Sequence, residues 1–232
     1  MAELKVYSSI GVRSAAEALL LQFGKTGGHK LAVTWGTAPM LVKRIEDGET
    51  ADVLILSRAG IDTLLEQGKI APGSDVTLAS SGVGIAVKAG APKPDISTPE
   101  ALKQTLLKAR SIAYSEPSAG GASGVYFAKL LERMGIAAEM KPKTKFPPAG
   151  GFSAELLLTG EAELAVQQKP ELLHVAGAEI VGFLPGDLNM VTQFAAGIMP
   201  GSKNADVAKA LIAMLRSSEA ATVFRSKGLE PN

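Results

Sequence analysis

Four stretches of this sequence put hydroxyl and glycine residues at the point where an extended segment gives way to a helix. They are Ser8-Ser9-Ile10-Gly11, Gly36-Thr37-Ala38-Pro39, Ser118-Ala119-Gly120-Gly121-Ala122-Ser123-Gly124 and Ala149-Gly150-Gly151-Phe152-Ser153. The first turn of a helix carries unpaired N–H groups and the positive end of the helix dipole, so each corner is suited to holding an anion. Glycine lets a ligand approach the backbone closely, and serine or threonine adds a hydroxyl. The residues expected to touch the anion are Ser8, Ser9, Gly11, Thr37, Ala38, Ser118, Gly121, Ser123, Gly151 and Phe152. A plainer account exists for each corner, because Ser and Thr are good N-caps and Gly is common in short βα loops. The third corner exceeds that account: seven small residues in succession, three glycines and two serines among them, are more than a cap requires.

Such corners converge only if strands and helices alternate around mainly parallel sheets, where ligands sit beyond the carboxyl ends of the strands. The chain reads that way. Leu4 to Ser8, Lys30 to Trp35 and Asp52 to Leu56 are strand-like; Val12 to Phe23, Pro39 to Glu46 and Gly60 to Glu66 carry helical periodicity. Ser81 to Lys88 is a further strand, ending in the Gly/Pro-rich stretch Ala89 to Pro94, a place for the chain to cross between lobes. Thr98 caps and Pro99 opens a helix reaching about Ala109. Ser111 to Tyr114, Leu164 to Gln167 and Glu179 to Phe183 then read as strands, with helices over Ser123 to Met134 and Phe152 to Leu158. Met190 to Met199 is a long apolar strand, and Asn204 to Leu215 and Glu219 to Ser226 are closing helices.

Composition removes several classes of function. Hydrophobic residues at 46% and charged residues at 20% describe a globular chain and exclude a disordered one. No apolar run approaches the roughly 18 residues needed to span a bilayer. A net charge of +1, with 24 scattered basic residues, gives no attraction for nucleic acid. With no cysteine and two histidines, thiolate chemistry and a His-rich metal site are both out of reach, and no cofactor or metal is expected. No G-x-S-x-G elbow, Walker loop or H-E-x-x-H motif occurs. His29, ahead of a strand, and His174, ending a short helix, read as surface residues. Met1 and Ala2 stand directly before the first strand and leave no room for a secretory leader.

The order of motifs resembles the molybdate-binding type of periplasmic solute-binding proteins, within the class II binding-protein fold. The resemblance runs through Leu4-Lys5-Val6-Tyr7-Ser8-Ser9, the segment Arg44 to Ile55, Ala122-Ser123-Gly124-Val125-Tyr126-Phe127-Ala128-Lys129, and Gly160 to Val166. It implies an α/β fold of two lobes, with mixed, mainly parallel sheets flanked by helices and a ligand cleft between lobes. Residues 1–82 and 193–232 would form lobe 1 and residues 83–192 lobe 2, with hinge crossings near 81–90 and 190–200. It also implies a periplasmic location, the signal peptide being absent from this sequence, a small anionic ligand, an ABC transporter membrane component as partner, and a monomer. Carried over residue by residue, the family's first-loop serine falls on Gly11, its second near Thr37, its third-loop donor near Ser123, its fourth near Phe152, and its cleft tyrosine on Gln168. A pocket with glycine for serine and glutamine for tyrosine is expected to prefer another small anion to a tetrahedral metal oxyanion.

Arg13, two residues beyond Gly11, and Lys145 and Lys169, beside the fourth corner and Gln168, suggest a carboxylate, which an arginine fork matches; the plain alternative is solvated charge. The expected ligand is therefore a di- or tricarboxylate. The Trp35 to Pro39 turn, the Gly82 to Pro94 run and Val166-Gln167-Gln168 are similar to a subgroup of the same family to which aconitate isomerase belongs. That resemblance implies an alternative, a proton-shift isomerase of a small tricarboxylic acid, in which Glu116, Lys145 or Tyr7 would handle the proton and Ser118, Ser123 and Thr37 would donate hydrogen bonds. A third reading, the ligand-sensing domain of a regulator, would need an attached DNA-binding or membrane segment.

Overall fold

A computed structural model of the chain describes residues 3–148 and 150–232. The chain divides into two compact units, one formed by residues up to Ser80 with Thr192–Asn232, the other by Ser81–Val191.

The first unit begins with β1 (Glu3–Ser9), a 3-10 turn at Ile10–Val12, α1 (Arg13–Gly27), β2 (Lys30–Gly36), α2 (Ala38–Glu46), β3 (Val53–Ser57) and α3 (Arg58–Glu66). β1 lies between β2 and β3 and is parallel to both, so the carboxyl ends of all three strands share one edge. Side chains alternate across the sheet, as strand geometry requires. Leu4, Val6, Val53 and Ile55 enter one core with the apolar face of α1; Tyr7, Leu54 and Leu56 enter a second with α2 and α3. α1 runs past Phe23 to Gly27 and stops at Gly28, whose φ of 64° is a left-handed cap. Its last turn faces solvent, so the apolar pattern carries no trace of it.

β4 (Val76–Lys88) leads into the second unit. It starts earlier than the apolar pattern suggested, because Ser80 and Ser81 interrupt that pattern while remaining extended. There follow α4 (Pro99–Lys108), β5 (Ile112–Tyr114), α5 (Ala122–Arg133), α6 (Ala137–Met140), β6 (Thr144–Lys145), α7 (Glu155–Leu158), β7 (Leu164–Gln168), α8 (Lys169–His174) and β8 (Ala178–Phe183). β5 is parallel to β6 and β7, while β4 is antiparallel to β7 and β8. One face of this sheet carries Ile85, Ile112, Tyr114, Leu164 and Val166 against Phe127, Leu130 and Leu102. The other is floored by Ala86, Ala113 and Ala165, small enough to admit Phe152, Leu157 and Leu172 from short elements. The helix expected over Phe152 to Leu158 is shorter: Phe152 and Ser153 belong to a loop, because the Ser153 N–H is held by a side chain of β7 at 2.8 Å.

The chain returns to the first unit as β9 (Val191–Ile198), α9 (Ala205–Leu215), α10 (Ser218–Ser226) and β10 (Glu230–Pro231). β9 runs antiparallel to β3, pairing Phe194 with Ser57, and β10 pairs with Ala79 and Ser80 of β4. Leu211, Leu215 and Phe224 complete the core under α1. Among the described residues no helix is long and apolar enough to cross a membrane.

Candidate functional site

In the first unit, three hydroxyl residues end parallel strands at the same edge, each accepting a bond from the helical turn that follows. Ser9 Oγ accepts from Gly11 N at 3.3 Å, Thr37 Oγ1 from Met40 N at 3.4 Å, and Ser57 Oγ from Gly60 N at 3.3 Å. The caps fix the entry of each helix and leave the N–H groups of its first turn at the strand edge. The second and third corners adjoin, since a Cβ on Gly60 would lie 3.6 Å from that of Ala38. Phe194 closes the first corner: a Cβ at Gly11 would meet its ring at 2.7 Å, so any larger residue there requires the ring to move. Ser8, on the same face as Val6, is fully buried, and its hydroxyl has no hydrogen-bond partner among the described residues. Ser57 was absent from the sequence expectation. Its signal was available, for Ser57-Arg58-Ala59-Gly60 repeats the composition of the other corners.

Two expected residues of this unit are engaged elsewhere. Tyr7 points into the α2 and α3 side of the sheet, where its hydroxyl bonds Glu49 and its ring lies 5.0 Å from the Arg44 guanidinium. Glu49 precedes β3, so the phenol reaches toward the amino ends of the strands and away from the serine corners. Burial, and then the bond to Glu49, raise the phenol pKa above its usual value, so Tyr7 holds its proton at neutral pH. Glu49 itself is pulled down to about 2, chiefly by Arg44 and then by Tyr7. Arg13 is drawn along its own helix, with Nε 2.7 Å from Glu17 and the guanidinium 5.4 Å over Trp35.

In the second unit the donors gather around a residue not singled out in the sequence. Gln167 is fully buried near the end of β7. Its Oε1 accepts from Ser153 N at 2.8 Å and from Ser153 Oγ at 3.0 Å. Its Nε2 donates to Ser115 Oγ at 3.1 Å and to Gly151 O at 3.4 Å. One amide thus ties the end of β5, the Gly151–Ser153 loop and β7 together. The α5 N-terminus sits directly on the same place. Gly121 is its N-cap, Ser123 is buried in its first turn, and a Cβ on Gly124 would stand 2.1 Å from the Ser115 carbonyl oxygen. Phe152 is buried, its ring 4.5 Å from that of His174. Gln168 is buried at the N-cap of α8, and its N–H donates to Glu171 Oε2 at 3.1 Å.

Glu171 is a buried carboxyl whose pKa is raised to about 7: burial pushes it up, against the opposing pull of the Gln168 N–H and the Gln167 side chain. Glu at the third position of a helix is ordinary capping chemistry, so residue type alone does not mark it. Gln167 and Ser115 had a readable signal. They extend the small-residue face set by Ala165 and Ala113 on two neighbouring strands, putting polar groups where alternation calls for apolar ones.

The remaining expected residues stay outside this network. Ser118 and Glu116 are exposed at the 3-10 turn Pro117–Ala119, Lys145 is exposed on β6, and Lys169 lies over the Phe183 ring at 5.2 Å. Ala149 of the fourth corner lies outside the described residues. Among the described residues no cluster of three His, Asp or Glu is arranged to hold a metal ion.

A pair of α/β units with donor-rich corners at the carboxyl ends of their strands defines the class of periplasmic binding proteins of the class II fold. The solved periplasmic molybdate-binding protein of Azotobacter vinelandii has that fold; it superposes with a TM-score of 0.78 at 20% identity, covering 97% of this chain and 98% of that one. The chain belongs to the bacterial extracellular solute-binding protein family, whose model matches residues 4–230. It is 36% identical to the aconitate isomerase of a Pseudomonas species, over 98% of this chain and 87% of that protein. It is 24% identical to the molybdate-binding protein ModA of Escherichia coli (strain K12), over 97% and 88%.

Proposed function

We propose that this protein is a periplasmic binding protein for a small di- or tricarboxylate, held by main-chain N–H and hydroxyl groups at helix N-termini and delivered, as a monomer, to an ABC-type membrane component. The observation that carries the reading is the composition of the strand-end corners in each unit: Ser8, Ser9, Gly11, Thr37 and Ala38 in the first, Gly121, Ser123, Gly151, Phe152 and Gln168 in the second. Such corners offer donors without a fixed metal, which suits an anion of delocalised charge. Glycine at position 11, wedged against Phe194, leaves an apolar wall in place of a hydroxyl and favours a ligand with a carbon skeleton over a bare oxyanion. Calorimetric titration with citrate, the aconitates, succinate, molybdate, tungstate and sulfate tests this. Binding of a carboxylate tighter than that of every oxyanion is expected; tighter binding of molybdate or sulfate would overturn the choice of ligand, and no binding at all the whole reading.

A second reading is favoured by two observations, the relative named as an aconitate isomerase and the buried carboxyl of Glu171. Moving a double bond between carbons beside carboxylates needs a proton acceptor active near neutral pH and donors for the developing enolate. On this reading the corners grip the carboxylates, and Glu171, its pKa raised by burial to about 7, joins Glu116, Lys145 and Tyr7 as a candidate to handle the proton. Proton NMR of cis- and trans-aconitate in deuterated buffer decides it: interconversion or deuterium incorporation at catalytic protein concentrations establishes the enzyme, and neither leaves binding alone.

A further inference from the structure

We propose that Gln167 is the positioning residue of the second unit: its side-chain amide holds the Ser115 corner and the Gly151–Ser153 loop in ligand-ready geometry before any anion arrives. The inference deepens the carboxylate-binding reading above and rests on it. Gln167 is fully buried; its amide forms four hydrogen bonds between 2.8 and 3.4 Å to Ser153, Ser115 and Gly151, using both its oxygen and its N–H groups, and its side chain also lies beside the Glu171 carboxyl. A buried amide this completely paired has one orientation. Flipping it would set Nε2 against the Ser153 N–H and Oε1 against the Gly151 carbonyl, two donors or two acceptors facing each other.

What the amide restrains is a loop whose other backbone bonds are short-range, from Gly151 N to Pro148 O, Glu155 N to Phe152 O and Leu156 N to Ser153 O. Among the described residues between Pro147 and Ala154 none lies in a helix or strand, and Gly150 takes a φ of 78°. Its backbone is anchored at Ser153 N and Gly151 O, one on each side of Phe152, and both anchors are Gln167. Ser115 joins β5 to the seven-residue small corner, and the first turn of α5 stacks on it at Gly124. With Gln167 in place, the N–H of Phe152 and those of the α5 first turn are set relative to β7, while the Gly151 N–H is given to the Pro148 carbonyl at 2.8 Å. Without it, binding must first order about four loop residues, and that cost comes out of affinity. Gln168, the position a sequence comparison selects, is tied to its own helix through Glu171; Gln167, one residue earlier and on the opposite face of β7, governs the neighbouring loops.

The test compares wild type, Gln167→Met, Ser153→Ala and Ser115→Ala. Gln167→Met keeps the side-chain length and removes all four bonds; each serine variant removes a hydroxyl partner and guards against failure of Gln167→Met to fold. Two readouts at 25 °C are needed: calorimetric affinity for the carboxylate that wild type binds best, and amide hydrogen exchange of ligand-free protein. The expected result for Gln167→Met is at least a 30-fold loss of affinity, with exchange accelerated at least tenfold over residues 150–154 and unchanged in α1 and α9. Ser153→Ala and Ser115→Ala should each lose about three- to tenfold. Lost affinity without faster exchange would mean direct ligand contact and overturn the positioning role, as would faster exchange with affinity kept within threefold. If wild type binds no carboxylate, the functional reading fails first and the inference falls with it, a different outcome from wild-type binding that Gln167→Met leaves intact.

Discussion

At the scale of single residues, the most informative group is Glu171. Its folded pKa of about 7 lies above the 4.5 of an ordinary glutamate, so the native state holds a proton that the unfolded chain releases. The stability this contributes is complete below about pH 4.5, declines as pH rises, and is gone above about pH 7. A difference of about 2.5 pKa units corresponds to roughly 3 kcal/mol across that window. Urea unfolding of Glu171→Gln should therefore show a flatter stability profile between pH 5 and 8 than wild type, by about 2 to 3 kcal/mol. Parallel profiles would mean that Glu171 is ionised in the fold like any surface acid. Gly11 makes a second residue-scale case. Restoring a serine there drives its Cβ to 2.7 Å from Phe194, whose ring is buried and has to turn. Gly11→Ser is expected to cost about 1 to 3 kcal/mol in denaturant melts and to bring no gain in molybdate affinity. A stable variant that binds molybdate would show that the ring is not a fixed wall.

At the scale of elements, the α5 corner depends on how closely a helix can approach a strand end. Gly124 is there because the Ser115 carbonyl leaves 2.1 Å for a Cβ, and this neighbour is backbone that cannot swing aside. Gly124→Ala should push α5 off β5, costing roughly 3 kcal/mol, and weaken ligand binding by displacing Ser123 and the first-turn N–H groups. Chemical denaturation paired with calorimetry reads both effects; wild-type stability would show that the approach is looser than the geometry implies. Capping behaves more regularly. Thr98 caps α4 through the Ala101 N–H at 3.1 Å, with Pro99 opening the helix, and both were legible from residue type alone.

At the scale of the whole molecule, each unit has its own cores and its own set of donors. A ligand that binds only the native chain adds stability by mass action, about 2.7 kcal/mol at a hundredfold excess over its dissociation constant. For a chain of this size the melting temperature should rise by roughly 5 to 10 °C. Scanning fluorimetry against the anion panel should rank ligands in the same order as calorimetry, and an unchanged melting temperature at saturation would contradict native-state binding.

The βα rhythm, the family resemblance and the helix caps Ser9, Thr37 and Thr98 could be read without coordinates, because periodicity, N-cap chemistry and proline placement are local. Ser9, Thr37 and Thr98 accept the bonds their residue types suggested. The direction of a side chain across a sheet is a different matter. Tyr7 reads as a neighbour of Ser8, yet alternation sends it to Glu49 and Arg44 on the other face. Gln167 and Ser115, 52 positions apart, meet only because β5 and β7 pair in register, and Glu171 becomes a protonable group only once the fold has buried it. Local patterns in the chain determine which helices and strands form and where anion-binding corners can arise. Strand register and burial, which depend on residues far apart in sequence, decide which polar groups face those corners and what charge they carry.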